Sequence, residues 1–368
     1  MKKVLSIAAA AAAILAVSCN KQEKTTSFIE PADGVRVDVL VNTRADAATR
    51  ADGASVEDTQ AERTIKRLDL FVFNHASGAL DAYAEGTATT TDGTYAVRDV
   101  KVSSTVLDFY AVANAPASLK DGIATVANLQ AAVSAFADNA SDAFVMVGSK
   151  AEVDVEAIDA DATSAKKQIR GLELERIVNK VQINKVTKAF SSPAFQNAEV
   201  KLLGLFVVNA NKSTGYLADA VPAEGNYFNA TEAFETNALI SADFANAPKT
   251  VTAEGVAIGN AFYFYPNAAS ESASVSRQDK VTKLALKVSV AGSVYWYPIE
   301  ILQAPEAHNR NLVYVVENVT LRRPGNPEDP TDPTDPNKYI DETSVDVQMT
   351  VKDWVSADIA GSYNGWMN

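Results

Sequence analysis

Apolar residues recur at every second position in one run after another along this chain, the period of strands with one buried face. Val35, Val37, Val39 and Val41 alternate with Arg36, Asp38 and Leu40. Near the other end Val345, Val347, Met349 and Val351 alternate with Asp346, Gln348 and Thr350, and Trp354 caps the run. Ile65–Phe73 reads as a strong strand, ended by Asn74 and the turn residues Ser77 and Gly78. Thr94–Val102, Thr105–Ala113 and Phe144–Val147 read as further strands, and Leu172–Val186 as one long strand-like stretch. The second half adds Val200–Val208, Ala261–Tyr265, Val281–Val290, Val294–Leu302 and Leu312–Leu321. A helix is expected between Ile123 and Phe136, where Val126, Leu129, Val133 and Phe136 fall at helical spacing. Many short strands with turns between them specify a mainly β chain of two β-sandwich-like domains with a few short helices. The expected domains are 51–180 and 181–322, with the boundary in or just after Leu172–Val186.

Such a core must be held by packing alone. Cys19 is the only cysteine, so neither a disulfide within the chain nor a cysteine-based zinc site can form. The 47% apolar content is enough for a packed core. His75 and His308 are the only histidines and lie far apart, which argues against histidine-based catalysis or metal binding. The net charge of -13 argues against nucleic acid, whose phosphates need a basic surface. Val147-Gly148-Ser149-Lys150 is only a fragment of a phosphate-binding loop. Asp159-Ala160-Asp161-Ala162-Thr163 is similar to the start of a calcium loop but lacks the following glycine and the spaced glutamate. No cofactor, no metal and no enzymatic activity are expected. The aromatic runs Phe262–Tyr265 and Tyr295-Trp296-Tyr297 are read as core rather than as sugar platforms.

The single cysteine carries a positional signal. Met1-Lys2-Lys3, the apolar run Val4–Val17 and small residues before position 19 form a secretory signal peptide over 1–18. That apolar run is too short to span a bilayer comfortably. Leu15-Ala16-Val17-Ser18-Cys19 resembles the bacterial lipoprotein box, in which the cysteine becomes the lipidated first residue. The expectation is an exported chain first held on a membrane by the acyl chains of Cys19.

Between the first two strands lies a polar stretch, Thr43–Glu62, without apolar period. It contains the repeat Thr43-Arg44-Ala45-Asp46 and Thr49-Arg50-Ala51-Asp52. It is expected to be an exposed, protease-accessible loop. At the other end, residues 323–337 place proline at every third position from Pro324 to Pro336, a semi-stiff extended spacer before the segment 338–368. The strands flanking these two segments, Val35–Val41 and Val345–Val351, each offer four apolar residues at alternate positions. They could compete for one hydrophobic groove. If the first strand were cut away, the second strand of a neighbouring copy could fill the vacancy. Four buried apolar side chains supply roughly 6–12 kcal/mol before ordering costs. A head-to-tail contact of this kind that does not close into a ring builds a filament. The plainer alternative is that both are edge strands of their own domains.

The same residues carry a family resemblance. Cys19 in its lipoprotein box, Ile65–Phe73, Phe109–Pro116, Leu174–Val181, His308–Tyr314 and the Asp-Pro repeat before Val345–Trp354 follow one another as in the major fimbrial subunits of Bacteroidales, the type V pilins. The resemblance implies two transthyretin-like sandwich domains and a lipidated, palmitate-bearing precursor at the outer membrane. It implies an arginine-specific protease that cuts after Arg50 or Arg44 and removes residues 19–50 with the strand Val35, Val37, Val39 and Val41. The donor strand Val345, Val347, Met349, Val351 and Trp354 of another copy would then enter the groove. The implied partners are further copies of the chain and minor fimbrial subunits, and the implied role is adhesion from a surface fimbrium. Stalk, anchor and tip roles share this architecture. The tail Gly361–Asn368 departs from the family pattern. The alternative reading is an uncleaved outer-membrane lipoprotein that binds glycans through exposed aromatics such as Trp296 or Trp366.

Overall fold

Alternation becomes ladders wherever two such runs can pair, and nearly all of the described chain does so. The computed structural model describes residues 30–43, 55–88, 95–161, 166–217, 227–228, 237–267, 281–301, 310–327 and 345–355. The first strands in chain order are β1 (Val35–Thr43), β2 (Ser55–Glu57), β3 (Leu68–Asn74), β4 (Leu80–Ala88), β5 (Tyr95–Val102), β6 (Val106–Ala113), β7 (Val133–Ala135), β8 (Met146–Asp154), β9 (Lys167–Arg176) and β10 (Asn179–Lys188). They are followed by β11 (Val200–Val208), β12 (Ala210–Asn211), β13 (Ser213–Gly215), β14 (Tyr227–Phe228), β15 (Ser241–Asp243), β16 (Lys249–Thr250), β17 (Val256–Phe264), β18 (Lys283–Val290), β19 (Ser293–Glu300), β20 (Leu312–Leu321) and β21 (Val345–Val355).

The N-terminal strands close in the order β1-β5-β4-β3-β6-β8-β9. Two of the joins are short, Thr87–Ala88 with Ala96–Tyr95 and Met146–Val147 with Arg176–Glu175. The closed unit is therefore a sandwich of two sheets sealed along both edges, filled by Val39, Leu70, Val72, Val97, Phe109 and Leu172 among others. The C-terminal strands form a sheet of order β17-β10-β20-β21-β2 and a second of order β15-β11-β18-β19. The chain is mainly β throughout, in sandwich-like layers.

Three local expectations need correction. The helix is only Val126–Ala131, started by the Thr125 hydroxyl accepting from the Asn128 N–H at 3.2 Å. Val133–Ala135 leaves it to pair with Ser213–Gly215, so the helical spacing of Val133 is accidental, and Val133 is 59% exposed. The stretch Leu172–Val186 is two strands, β9 and β10, broken at Ile177-Val178, and they belong to different sheets. The loop expected to reach Glu62 already pairs at Ser55–Glu57 and is buried at Asp58 and Glu62. A smaller change of bounds puts β8 at Met146–Asp154 rather than Phe144–Val147.

Closure at the β8–β9 join requires a glycine. A Cβ on Gly148 would lie 2.4 Å from the Glu173 carbonyl oxygen, a backbone atom that cannot swing aside. Gly148→Ala should cost ~1–3 kcal/mol in urea denaturation. Gly122→Ala, where a Cβ meets nothing within 4 Å, should cost far less.

Candidate functional site

β1 is embedded in the barrel along both edges. It runs antiparallel to β5, with Val37 opposite Val100 and Val39 opposite Val97, and parallel to β9, with Val39 beside Ile169 and Val41 beside Leu172. Val37, Val39 and Val41 are wholly buried and Val35 half-buried. Removing this strand would unpair two ladders and open a strand-shaped apolar groove between β5 and β9.

β21 sits differently. It pairs antiparallel with β20, Val345 opposite Leu321, Val347 opposite Val319, Met349 opposite Val316 and Val351 opposite Tyr314. Its other edge is covered only by β2, at Asp353–Val355, so residues 345–352 have no strand on that side among the described residues. Val345, Val347, Met349 and Val351 are half-buried against the core. The two strands with one pattern therefore occupy two different sites in the single chain, one enclosed and one at a sheet edge.

The exception along β21 is Trp354, which is wholly buried. Its ring stacks on Tyr263 at 5.9 Å between centroids and meets Phe144 edge-on at 6.0 Å. The Arg176 guanidinium carbon lies 4.3 Å and the Lys180 ammonium 5.3 Å from the ring centroid. Such cation–ring contacts gain strength when both partners are dry. Asn311, in the left-handed region at φ 59°, donates its amide to the Trp354 carbonyl at 2.6 Å and accepts the Trp354 N–H on its own carbonyl at 3.1 Å. The Trp354 indole N–H has no hydrogen-bond partner among the described residues.

Both cations are answered by the segment just after β2. Asp58 pairs with the Arg176 guanidinium, which also donates to the Glu62 carbonyl at 3.0 Å. Glu62 accepts from Lys180 at 2.7 Å and from the Tyr263 hydroxyl at 2.7 Å, and its other oxygen accepts the Thr59 N–H at 2.7 Å. Burial pushes the Glu62 carboxyl up, but the hydrogen bonds from Lys180 and Thr59 outweigh it and hold the group below the ordinary carboxylate value. Burial pushes the Tyr263 hydroxyl up, and neighbouring Glu62 adds to the rise. Residues 55–62 thus clamp the end of the last strand through Arg176 and Lys180.

The structure brings Val37, Val39 and Val41 together in one wall and Val345, Val347, Met349, Val351 and Trp354 in another. Cys19, Arg44, Arg50, His308, Trp366, residues 328–344 of the spacer region and the tail lie outside the described residues. Trp296 is 5% exposed and packs on Phe206, so it is no sugar platform. Asp58, Glu62, Arg176 and Asn311 were not expected in a site. Two signals for them exist: Thr59-Gln60-Ala61-Glu62 has capping-box spacing, and Arg176 stands at the inward position two residues after Leu174. A polar cleft of about 640 Å³ lies between Tyr110, Ser149, Glu173 and Tyr216, and no group of metal-ligating side chains occurs among the described residues.

Trp354→Ala should cost ~3–5 kcal/mol in urea denaturation and make residues 345–355 sensitive to protease. Acid should act through Glu62. Its depressed carboxyl contributes in full above the ordinary value of 4.5, and the contribution is lost as pH falls through its lower folded value. Denaturation midpoints should fall as the pH is lowered below the ordinary carboxylate value of 4.5, less steeply in Glu62→Gln than in the parent.

Residues 35–176, from β1 to the end of β9, match the family model of the major fimbrial subunit protein, FimA. Among curated proteins, none matches the sequence. Several solved structures share the fold. A Parabacteroides distasonis protein described as a candidate for cell adhesion is 18% identical, covering 89% of this chain and 99% of its own, at a TM-score of 0.63. A Bacteroides eggerthii protein described in the same way is 20% identical over 88% and 97%, at 0.58. A fimbrilin of Porphyromonas gingivalis is 14% identical over 88% and 98%, at 0.59. The chain is thus recognised, through residues 35–176, as a match to the FimA major fimbrial subunit family on a fold shared with a fimbrilin.

Proposed function

We propose that this protein is a structural subunit of a cell-surface fimbrium, made as a Cys19-lipidated precursor and polymerised by strand exchange. A cut after Arg50 or Arg44 by an arginine-specific protease would release β1, and β21 of a second copy would enter the groove between β5 and β9. The observation that carries this reading is the asymmetry between the two strands. β1 is laddered on both edges with three wholly buried valines, whereas β21 is a half-buried edge strand over residues 345–352. Taking three apolar side chains from half to full burial favours transfer by roughly 2–5 kcal/mol before ordering costs. A second ladder adds to that. The domains 51–180 and 181–322 would be the two bodies of the subunit. The proline-rich spacer 323–337 would let the last strand reach a neighbour, and minor subunits of the same kind would complete the fimbrium. No step in this role requires catalysis by the chain.

The non-lipidated precursor treated with an arginine-specific protease should yield a new N-terminus at Ala51 or Ala45 and high-mass ladders, with filaments by electron microscopy. A chain ending before Ser344 should be cut equally well and remain monomeric. Cleavage of the full chain that leaves only folded monomer would remove self-polymerisation from the reading. A protease-resistant 44–50 segment would remove the activation step.

A further inference from the structure

The groove that β1 fills is not uniformly apolar. Asp38, between the buried Val37 and Val39, is only 5% exposed. Its carboxylate accepts the Asp99 backbone N–H at 2.8 Å and lies 3.4 Å from Arg98 Nη1 and 3.9 Å from Lys166 Nζ. Asp99 stands at φ 62°, at the point where the β1–β5 register shifts, and this turns its N–H onto β1. Two residues earlier the demand is reversed. Arg36 donates to the Asp99 carbonyl at 2.7 Å and to its carboxylate at 3.0 Å. The walls therefore ask the occupying strand for an acid at position 38 and disfavour one at position 36.

We propose that Asp346 of a second copy takes the place of Asp38 and thereby sets the register of the incoming strand, an inference that rests on the strand-exchange reading above. Val37-Asp38-Val39 and Val345-Asp346-Val347 are the same tripeptide. Laid in the direction of β1, this match puts Val345, Val347 and Met349 at the sites of Val37, Val39 and Val41, and Val351 at that of Thr43. Ser344, neutral, falls at Arg36. The register two residues away superposes Val345 on Val35 and gives an equally good apolar alternation. It places Asp346 at Arg36, against the Asp99 carboxylate, and Gln348 at Asp38. Like charges side by side are unfavourable, and the Asp99 N–H, at the buried Asp38 site, would lose its anionic acceptor. The reverse direction brings Ser344 to Leu40 and Thr343 to the buried site of Val41. One register and one direction satisfy both the valine pockets and the charges. In the single chain Asp346 is paired with Arg322 at 2.6 Å in an exposed ion pair, a contact that contributes little and is given up easily.

Cysteine pairs read the register directly, in a Cys19→Ser background that leaves no other thiol. In the proposed register Gln348 takes the site of Leu40, which pairs with Ala96. The chain carrying Gln348→Cys and Ala96→Cys, cut with the arginine-specific protease and mildly oxidised, should give a reductant-sensitive ladder on a denaturing gel. Gln348→Cys with Arg98→Cys should not. The opposite pattern overturns the register while leaving strand exchange in place. Absence of polymers from the Cys19→Ser parent overturns strand exchange and this inference with it. Asp346 is exposed in the single chain, so Asp346→Lys should fold as the parent does yet polymerise about tenfold or more slowly. Adding Lys166→Glu should recover part of the rate. Polymerisation of Asp346→Lys at the parental rate overturns the role of Asp346.

Discussion

Arg176 lies against the ring of Trp354 with Asp58 answering its charge, and segments from both ends and the middle of the chain meet there. The residues after β2 supply Asp58 and Glu62, the end of β9 supplies Arg176, the start of β10 supplies Lys180, and the end of β21 supplies Trp354. Neither cation would be tolerated so deep without an anion, because an unpaired buried charge costs several kcal/mol. The anions in turn depend on the cations. Removing any one member leaves the rest wrongly solvated, so the cluster stands or falls together. It also fixes where the barrel ends. Arg176 takes the inward site that follows Leu172 and Leu174, and the chain breaks at Ile177-Val178 to enter the next sheet.

The same cluster explains why β21 stays on its own chain at all. Over Val345–Lys352 it has one ladder partner and half-buried side chains, little for a segment that follows a proline-rich spacer. Trp354 supplies the anchor that those residues lack. The anchor is incomplete, since the indole N–H is buried without a partner among the described residues, and an unmet donor of this kind costs about 1–3 kcal/mol. A strand held by one large side chain at its end, with the remainder loosely laid on a sheet edge, suits a segment that is retained in one state and released in another.

Much of the strand content was legible in the sequence because apolar alternation is a direct image of a one-sided strand. Val35–Val41 and Val345–Val351 could be read from period two alone, whereas Leu68–Phe73 shows as a short, nearly continuous apolar run buried on both faces. The pattern fails where burial is two-sided or polar. Leu172–Val186 looks continuous because β9 and β10 are both half apolar, and the sheet change between them shows only as the charged Arg176 at an inward position. The helix ends at Ala131, and Val133 and Phe136 fall at helical spacing only by chance. That β1 and β21 share a pattern was visible, but not that they lie in different sheets. Alternation says which face is buried, not how many edges are paired. The clamp was least legible, because Asp58, Glu62, Arg176 and Asn311 are scattered polar residues whose meaning comes only from being buried beside Trp354.

Under the proposed exchange, the placement of the clamp separates two barriers that cleavage alone would not join. A cut after Arg44 or Arg50 frees β1 but leaves Ser55–Arg63 on the mature chain, so Asp58 and Glu62 still answer Arg176 and Lys180, and Trp354 is still held. Opening the groove and freeing the strand that fills it are then distinct events in a single chain. An acceptor can be made before any donor is available. Free energy favours transfer because the groove offers two ladders and an acid site, whereas the sheet edge offers one ladder and an exposed ion pair. The rate of transfer is governed by the loss of Trp354 from between Tyr263 and the two cations. A subunit built this way would not accept a strand before it is cut, since the uncut groove is full, and once cut it must wait for a strand whose clamp has opened.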